Sequence, residues 1–346
     1  MCWLFLVKLF YICCMKIVSL SKKKSVPKYK HIVSSIEDAI LGGVLKKGDK
    51  LPSLNTIKIQ HSLSRDTVLK AFNELKNRGI IHSVVGKGYY IMSEDITVSK
   101  KIFLLFDELN SFKEDLYNSF LDTLGSDVQV NIFFHHFNNT IFNKLISDNV
   151  GAYSSYIIMP ANLKNTQNAI EKLPEDNVYI LDQLHKELSQ YPAIYQNFKK
   201  DIYNGLSKAF SKIEKYNKLI LMFSSEKQPQ GILEGFNLFC TQNTINNEII
   251  TSLQNKDIKE GEVYVVLDDK NLLRIIKKIK EKALVLGENV GVISYNDTLL
   301  KEIVEDGITT ISTDFSLMGK SLAKMILKNQ KDQIENPSNL IIRKSI

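Results

Sequence analysis

The chain is short of the residues on which small secreted or low-complexity proteins depend. Of its 346 residues only four are cysteine; Cys2, Cys13 and Cys14 crowd the first fourteen positions and Cys240 stands alone. No spaced set of pairs exists to staple an extracellular domain, so a reducing, cytoplasmic setting is expected. Seven prolines and sixteen glycines are too few for a collagenous or low-complexity chain. The 9% of aromatic residues argues against general disorder. Catalytic signatures are missing too. The sequence contains no G-x-S-x-G elbow, G-x-x-x-x-G-K-[ST] loop, G-x-G-x-x-G fingerprint, H-E-x-x-H helix or C-x-x-C pair, so catalysis has no visible basis. His135-His136 closes a strand-like run, where successive side chains point to opposite faces, and His61 and His82 have no partner at metal-ligand spacing. Neither a metal nor a cofactor is expected.

A long apolar run is also lacking. MCWLFLVKLFYICCM is apolar, but Lys8 interrupts it, it falls short of the about 20 residues of a membrane span, and Cys13-Cys14-Met15 makes a poor small-residue cleavage site. Residues 1–24 read as an upstream extension of the reading frame, with Met15 an alternative start, and no membrane partner is expected. A membrane-attached sensor would rest on this run alone.

What is present suits a folded protein of more than one domain: 44% hydrophobic and 24% charged residues over 346 positions. The charge is unevenly divided. Residues 1–100 hold 17 Lys/Arg against 7 Asp/Glu, a balance of +10, whereas residues 101–346 hold 28 against 31, a balance of −3. A basic terminal domain points to a polyanionic partner, because each neutralised phosphate releases condensed counterions. The alternative is a solvated lysine-rich face.

Within residues 25–94 the periodicity predicts three helices and a hairpin. Ile32, Val33, Ile36, Ala39, Ile40 and Leu41 recur at helical spacing until Gly42-Gly43. Pro52-Ser53 opens a second helix with Leu54 and Ile57 inward. Ser64 caps a third, whose inner face is Val68, Leu69, Phe72 and Leu75 and which ends at Gly79. Ile80–Val85 and Tyr89–Met92 are strand-like runs joined by Gly86-Lys87-Gly88. Together these make a winged helix-turn-helix, with Arg65 projecting from the start of the third helix towards base edges and Lys87 at the wing tip. The alternative is a protein-interaction winged helix.

The segment LKKGDKLPSLNTIKIQHSLSRDTVLKAFNELKNRGIIHSVVGKGYYI resembles the DNA-binding domain of GntR-type bacterial regulators, matching the motifs G-D-x-L-P-S, S-R-x-T-V and G-x-G-x-x in order. The resemblance implies DNA contacts by Ser53, Ser64, Arg65, Thr67, Gly86, Lys87 and Gly88. Asn55 stands where the family usually has arginine, which alters one contact, and Lys70 joins the candidate set one turn beyond Arg65.

After a linker at 95–101, residues 102–346 alternate short apolar runs with longer amphipathic stretches, the pattern of β-α units and parallel sheets. The expected strands are 102–106, 128–134, 156–159, 178–181, 218–223, 263–267 and 290–294; the expected helices include 112–124, 199–213 and 272–282. This length favours two α/β lobes around a cleft. Ligands in such sheets sit beyond the carboxyl ends of the strands. There the sequence places Asp107, Asp182-Gln183, Ser224-Ser225-Glu226, Asp268-Asp269 and Tyr295-Asn296-Asp297. Carboxylates and amides beside Phe106, Phe112 or Tyr295 suit a polyol, whose hydroxyls they engage while a ring covers its C–H face; each alone also fits a helix cap.

ENVGVISYNDT followed by GITTISTDFSLMGKSLAKMIL resembles the effector domain of lactose-repressor-type regulators, which share the two-lobed type I fold of periplasmic sugar-binding proteins. This resemblance implies sugar contacts by Asp182, Asp268 and Asn296, with Asp107 a first-loop candidate. Asn296 replaces the usual aspartate, and Ile232 stands where many members place an arginine before Glu234-Gly235-Phe236, so Glu226 or Gln230 would have to supply the polar partner on that side. The pairing of the two domains resembles arabinose- and fucose-responsive repressors. The expectation is a homodimeric, non-enzymatic repressor that binds a double-stranded DNA operator and is controlled by a monosaccharide such as fucose or arabinose. The rival of a different class is a sugar-processing α/β enzyme tethered to DNA.

Overall fold

The computed structural model describes residues 18, 27–96, 100–254 and 256–346. The reading of residues 1–24 as an extension lies outside the described residues, apart from Val18, which is buried in the core of the first domain. That domain begins with α1 (Lys28–Leu41), which stops where Gly43 takes a φ of 70°. α2 (Leu54–His61) and α3 (Arg65–Asn77) follow, each started by a serine whose hydroxyl accepts a backbone N–H: Ser53 from Thr56 and Ser64 from Thr67. The hairpin β1 (Ile81–Val84) and β2 (Gly88–Ile91) pairs antiparallel from Ile81↔Ile91 to Val84↔Gly88. Its tip needs glycine, because Gly86 and Gly88 have φ of 72° and 108°. Ile32, Ile36, Ile57, Val68, Phe72 and Leu75 fill the core, and the Phe72 ring meets Tyr89 edge-on at 4.8 Å. Leu69, expected inside, is only half-buried.

The second domain starts with β3 (Lys100–Phe106), so its sheet reaches into the expected linker 95–101, of which residues 97–99 lie outside the described set. There follow α4 (Ser111–Leu124), β4 (Val128–Phe134), α5 (Asn139–Asp148), β5 (Ser155–Ile158), α6 (Gln167–Ile170), β6 (Val178–Asp182) and β7 (Ala193–Tyr195). The chain then crosses to a second lobe: α7 (Phe198–Lys208), α8 (Phe210–Ile213), β8 (Lys218–Met222), α9 (Gln230–Gln242), β9 (Asn247–Ile250), β10 (Glu262–Val266), α10 (Asp269–Glu281), β11 (Gly291–Tyr295), α11 (Leu299–Ile303) and β12 (Thr309–Thr313). It returns for α12 (Phe315–Leu327) and β13 (Gln333–Glu335), and crosses once more to β14 (Ser338–Ile341).

The first lobe's sheet has the order β13-β7-β6-β5-β3-β4 and is parallel throughout. The second has the order β14-β12-β11-β10-β8-β9, with only β14 antiparallel. Central strands such as SYII in β5 and EVYVV in β10 are buried at every position, as parallel sheets covered on both faces require. Three adjacent crossings join the lobes, and Asn336 laces them together: its N–H donates to the Tyr195 carbonyl at 2.8 Å and its amide to the Asp314 carbonyl at 2.9 Å.

All seven expected strands are present. Two expectations are corrected: the helix expected over 199–213 breaks at Ala209 into α7 and α8, and five further strands, β7, β9, β12, β13 and β14, complete the sheets.

Candidate functional site

At the front of the molecule the first turn of α3 is solvent-exposed at Ser64, Arg65 and Asp66, with Thr67 half-buried. The Ser64 hydroxyl lies 2.8 Å from that of Thr67, and the Ser53 hydroxyl lies 2.8 Å from that of Thr56. Both helices therefore start from the same hydroxyl-lined, donor-rich turn. Asn55 is exposed on α2. Arg65 and Lys87 have no ion-pair partner among the described residues, and Val85 beside Lys87 at the wing tip is fully exposed. Lys70 differs: its ammonium lies 4.5 Å from the centre of the Tyr29 ring, which holds it against α1.

In the second domain, a cavity of about 470 Å³ opens between the lobes at the carboxyl ends of the strands. The structure brings six of the expected residues to its wall: Asp107, Phe112, Asp182, Asp268, Tyr295 and Asn296. It leaves two out. Glu226 is exposed and does not line the cavity, and Gln230 lines an adjoining one.

Backbone conformation presents the central pair. Asp182 at the end of β6 and Asn296 just after β11 have φ of 75° and 60°, a region where only Asp, Asn and Gly are common and which elsewhere clusters at ligand sites. Burial pushes the Asp182 carboxyl up to about 6, and the nearby Lys113 ammonium opposes this rise. Gln196 donates to the Asp182 Oδ1. Lys113 is itself buried and ion-paired with Asp107. Asp268 is committed to a helix start: its Oδ1 accepts the Asn271 N–H at 2.9 Å and its Oδ2 the Asn271 amide at 2.8 Å.

Three polar atoms on the wall, Gln196 Oε1, Tyr295 OH and Asn296 Oδ1, are buried without a hydrogen-bond partner. A buried polar group left unpaired costs about 1–3 kcal/mol, and the same wall also presents the polar side chains of Asp107, Asp182, Gln183, Ser224 and Asn271. A wall of carboxylates, amides and hydroxyls suits an occupant rich in hydroxyls, while Phe112, Phe137, Phe198 and Phe223 provide apolar wall. The volume lies within the range of small-ligand pockets.

Sequence reasoning missed Lys113, Gln196 and Phe198. Lys113 carried a signal, because it shares a helical face with Leu116 and Phe120 and was therefore bound to be buried. Gln196 and Phe198 follow β7, a strand of three residues too short to register as periodic.

Residues 28–91 match the family model "Bacterial regulatory proteins, gntR family", and residues 218–346 match "Periplasmic binding protein-like domain". The chain is 29% identical to the HTH-type transcriptional repressor YtrA of Bacillus subtilis over 113 residues, which cover 33% of this chain and 83% of that protein. It is 34% identical to the arabinose metabolism transcriptional repressor of Geobacillus stearothermophilus over 70 residues, 20% of this chain and 19% of the relative. Other curated relatives are matched over 15% to 38% of their length, the latter for the Escherichia coli repressor MngR. In three dimensions, 70% of the chain overlays 99% of the trehalose repressor from Escherichia coli with a TM-score of 0.61 at 12% identity, a likeness of fold. Among the described residues no helix is long and apolar enough to cross a membrane. The chain thus joins a DNA-binding domain of the gntR family of bacterial regulatory proteins to a two-lobed periplasmic-binding-protein-like domain, and is a transcriptional regulator.

Proposed function

We propose that this regulator is a repressor whose hold on an operator is controlled by a sugar bound between the lobes. The observation that carries the sugar reading is one cavity lined from both lobes by Asp182, Gln196, Tyr295 and Asn296 together with the rings of Phe112, Phe137, Phe198 and Phe223. Asp182 and Asn296 engage hydroxyls from opposite lobes, and the Phe198 and Tyr295 rings, with centroids 6.5 Å apart, cover C–H surface. Arabinose and fucose are the first sugars to try, the former also because one relative is an arabinose metabolism repressor.

Arg65 reads base edges in the major groove, the hydroxyl-lined helix starts at Ser53 and Ser64 take phosphates, and Lys87 contacts the backbone beside the wing. Operators with two half-sites require two copies of the reader. The pairing surface we favour is α11, where Leu299 and Ile303 lie one turn apart and are 78% and 75% exposed. A sugar that contacts both lobes favours their closure about the three crossings at Asn336, and closure changes the spacing of the readers. The coupling expected is about 1–3 kcal/mol.

The test is titration of the full chain with DNA fragments selected from a random pool, with and without sugar, alongside recovery of the sugar. Linkage requires DNA to weaken sugar binding by the same factor as sugar weakens DNA binding. Equal DNA affinity in both arms overturns the regulatory reading, and a chemically altered sugar identifies the enzyme instead.

A further inference from the structure

The cavity at the strand ends has a neighbour. A second cavity of about 630 Å³ shares Gln183, Gln196, Phe198, Gln228 and Pro229 with it. It too lies between the lobes, with Asn162, Lys164 and His185 from the first and Ser225 and Gln230 from the second. Resting on the sugar reading above, we propose that the second cavity is a subsite for a second sugar unit, so that the effector is a neutral disaccharide or longer glycan rather than a single ring.

Volume is the first argument. At ~30 Å³ per water in the liquid, the two cavities hold the volume of roughly 15 and 20 waters. A single sugar ring has about a dozen non-hydrogen atoms, bonded and so closer together than waters. It is smaller than the first cavity alone and leaves the second to solvent.

The junction is the second argument. The unpaired Gln196 Oε1 belongs to a side chain on the wall shared by both cavities, and Gln196 is only 6% exposed. Phe198 lies on the same shared wall. A chain of sugar units offers a hydroxyl and a C–H face there at once.

The lining of the second cavity decides between a neutral and an anionic second unit. Its charged groups are of both signs: Lys164, and Glu187 with His185 Nδ1 at 3.6 Å from it. The remaining polar lining is mostly amide, from Asn162, Asn165, Gln183, Gln228 and Gln230. Amides donate and accept, as a ring of hydroxyls requires, whereas a phosphate or carboxylate needs an excess of donors. The occupant also bears on control. The Asn162 amide donates to the Gln228 carbonyl at 2.7 Å across the cleft, so a second unit held beside this bond ties the lobes at another point and favours closure more than one ring does.

The test is calorimetric titration of the full chain with matched probes: arabinose and arabinobiose, xylose and xylobiose, glucose and cellobiose, galactose and lactose. For the cognate pair the disaccharide is expected to bind at least ten-fold tighter than its component ring. In the double variant His185→Ala and Gln230→Ala, which alters only the second cavity, that ratio is expected to fall towards one, with the melting temperature recorded to establish folding. A ratio near one in the unaltered chain overturns the subsite and leaves the sugar reading intact. A high ratio that survives the double variant overturns its placement here. If no probe binds and fucose does not bind either, the sugar reading falls and the subsite with it.

Discussion

The Lys301 ammonium, 1% exposed, donates to the main-chain carbonyl of Asn296 at 2.6 Å. It also donates to the Tyr295 carbonyl at 2.8 Å and pairs with Asp269 at 3.1 Å. Burial lowers its pKa, and Asp269 opposes this. One cation from α11 thus fixes the bend that carries two cleft residues. Lys301→Met fills similar volume but leaves two carbonyls unpaired, and is expected to cost about 2–4 kcal/mol. It should also weaken sugar binding, because Asn296 is freed to leave its left-handed conformation. Denaturant unfolding and calorimetry check both; a stable variant with unchanged sugar affinity refutes the positioning role.

At the other end of the chain the predictions separate reading from attraction. Arg65→Ala is expected to remove about 1–3 kcal/mol of specific binding and to relax preference at the base it contacts. Lys87→Ala should lower affinity for all sequences alike and reduce the salt slope by about one. Fluorescence anisotropy over a salt series, with specific and scrambled duplexes, distinguishes these outcomes.

Much of the fold was legible because its determinants are local. Ser53, Ser64 and Gly86–Gly88 mark turns by their own backbone and capping chemistry, and runs such as IFLLF in β3 announce strands buried on both faces. The strands that escaped are those whose place is set by partners. TTIST in β12 is polar by composition, yet Thr309 and Thr310 are fully buried, because β11 and β14 flank it and Asp297 accepts the Thr310 hydroxyl at 2.9 Å. The site shows the same division. Asp182 and Asn296 follow legible strands; Gln196 follows an illegible one, and the burial of Lys113 was legible from its helical face while its pairing with Asp107 was not.

Two buried carboxyls set the pH response. Burial pushes Asp182 up to about 6 and Asp201, whose Oδ2 is buried without a partner, up to about 7. Both folded values lie above the unfolded value of about 3.9, so the folded state binds protons more tightly and these groups favour folding most at low pH. Their contribution declines as pH rises from about 4 to 7. Asp201→Asn is therefore expected to raise the melting temperature more at pH 8 than at pH 5. Sugar affinity should run the other way, because protonating Asp182 below about 6 removes an ionised acceptor. Asp182→Asn should flatten that profile, and a calorimetric pH series that stays steep in this variant rules Asp182 out as its source.

The exposed Leu299 and Ile303 of α11 give the dimer a direct test. Leu299→Asp combined with Ile303→Asp places two charges on the patch, and sedimentation is expected to show weakened self-association with the monomer still folded. Operator affinity should drop with it, since two readers no longer bind as one. Unchanged sedimentation moves the pairing surface elsewhere.

The attachment of α12 to the first lobe depends on the absence of one side chain. A Cβ built on Gly319 overlaps the Leu116 carbonyl oxygen and the Ser119 hydroxyl of α4. The hydroxyl can rotate, but the carbonyl belongs to helix backbone and cannot yield without moving α4. Gly319→Ala gains helix propensity of about 1 kcal/mol, so a favourable change is the expectation if the two helices merely lie near one another. With the overlap, the variant is instead expected to lose about 1–3 kcal/mol through overpacking. The displacement does not end at the contact, because Phe315, at the start of α12, holds the Phe112 ring of the cleft wall at 4.7 Å. Sugar affinity should therefore fall along with stability. Lys320→Ala, exposed on the next position of the same helix, is the control and should shift stability by less than about 0.5 kcal/mol. Equal unfolding midpoints for the two variants in urea exclude the close approach of α12 and α4 as a determinant of the cleft.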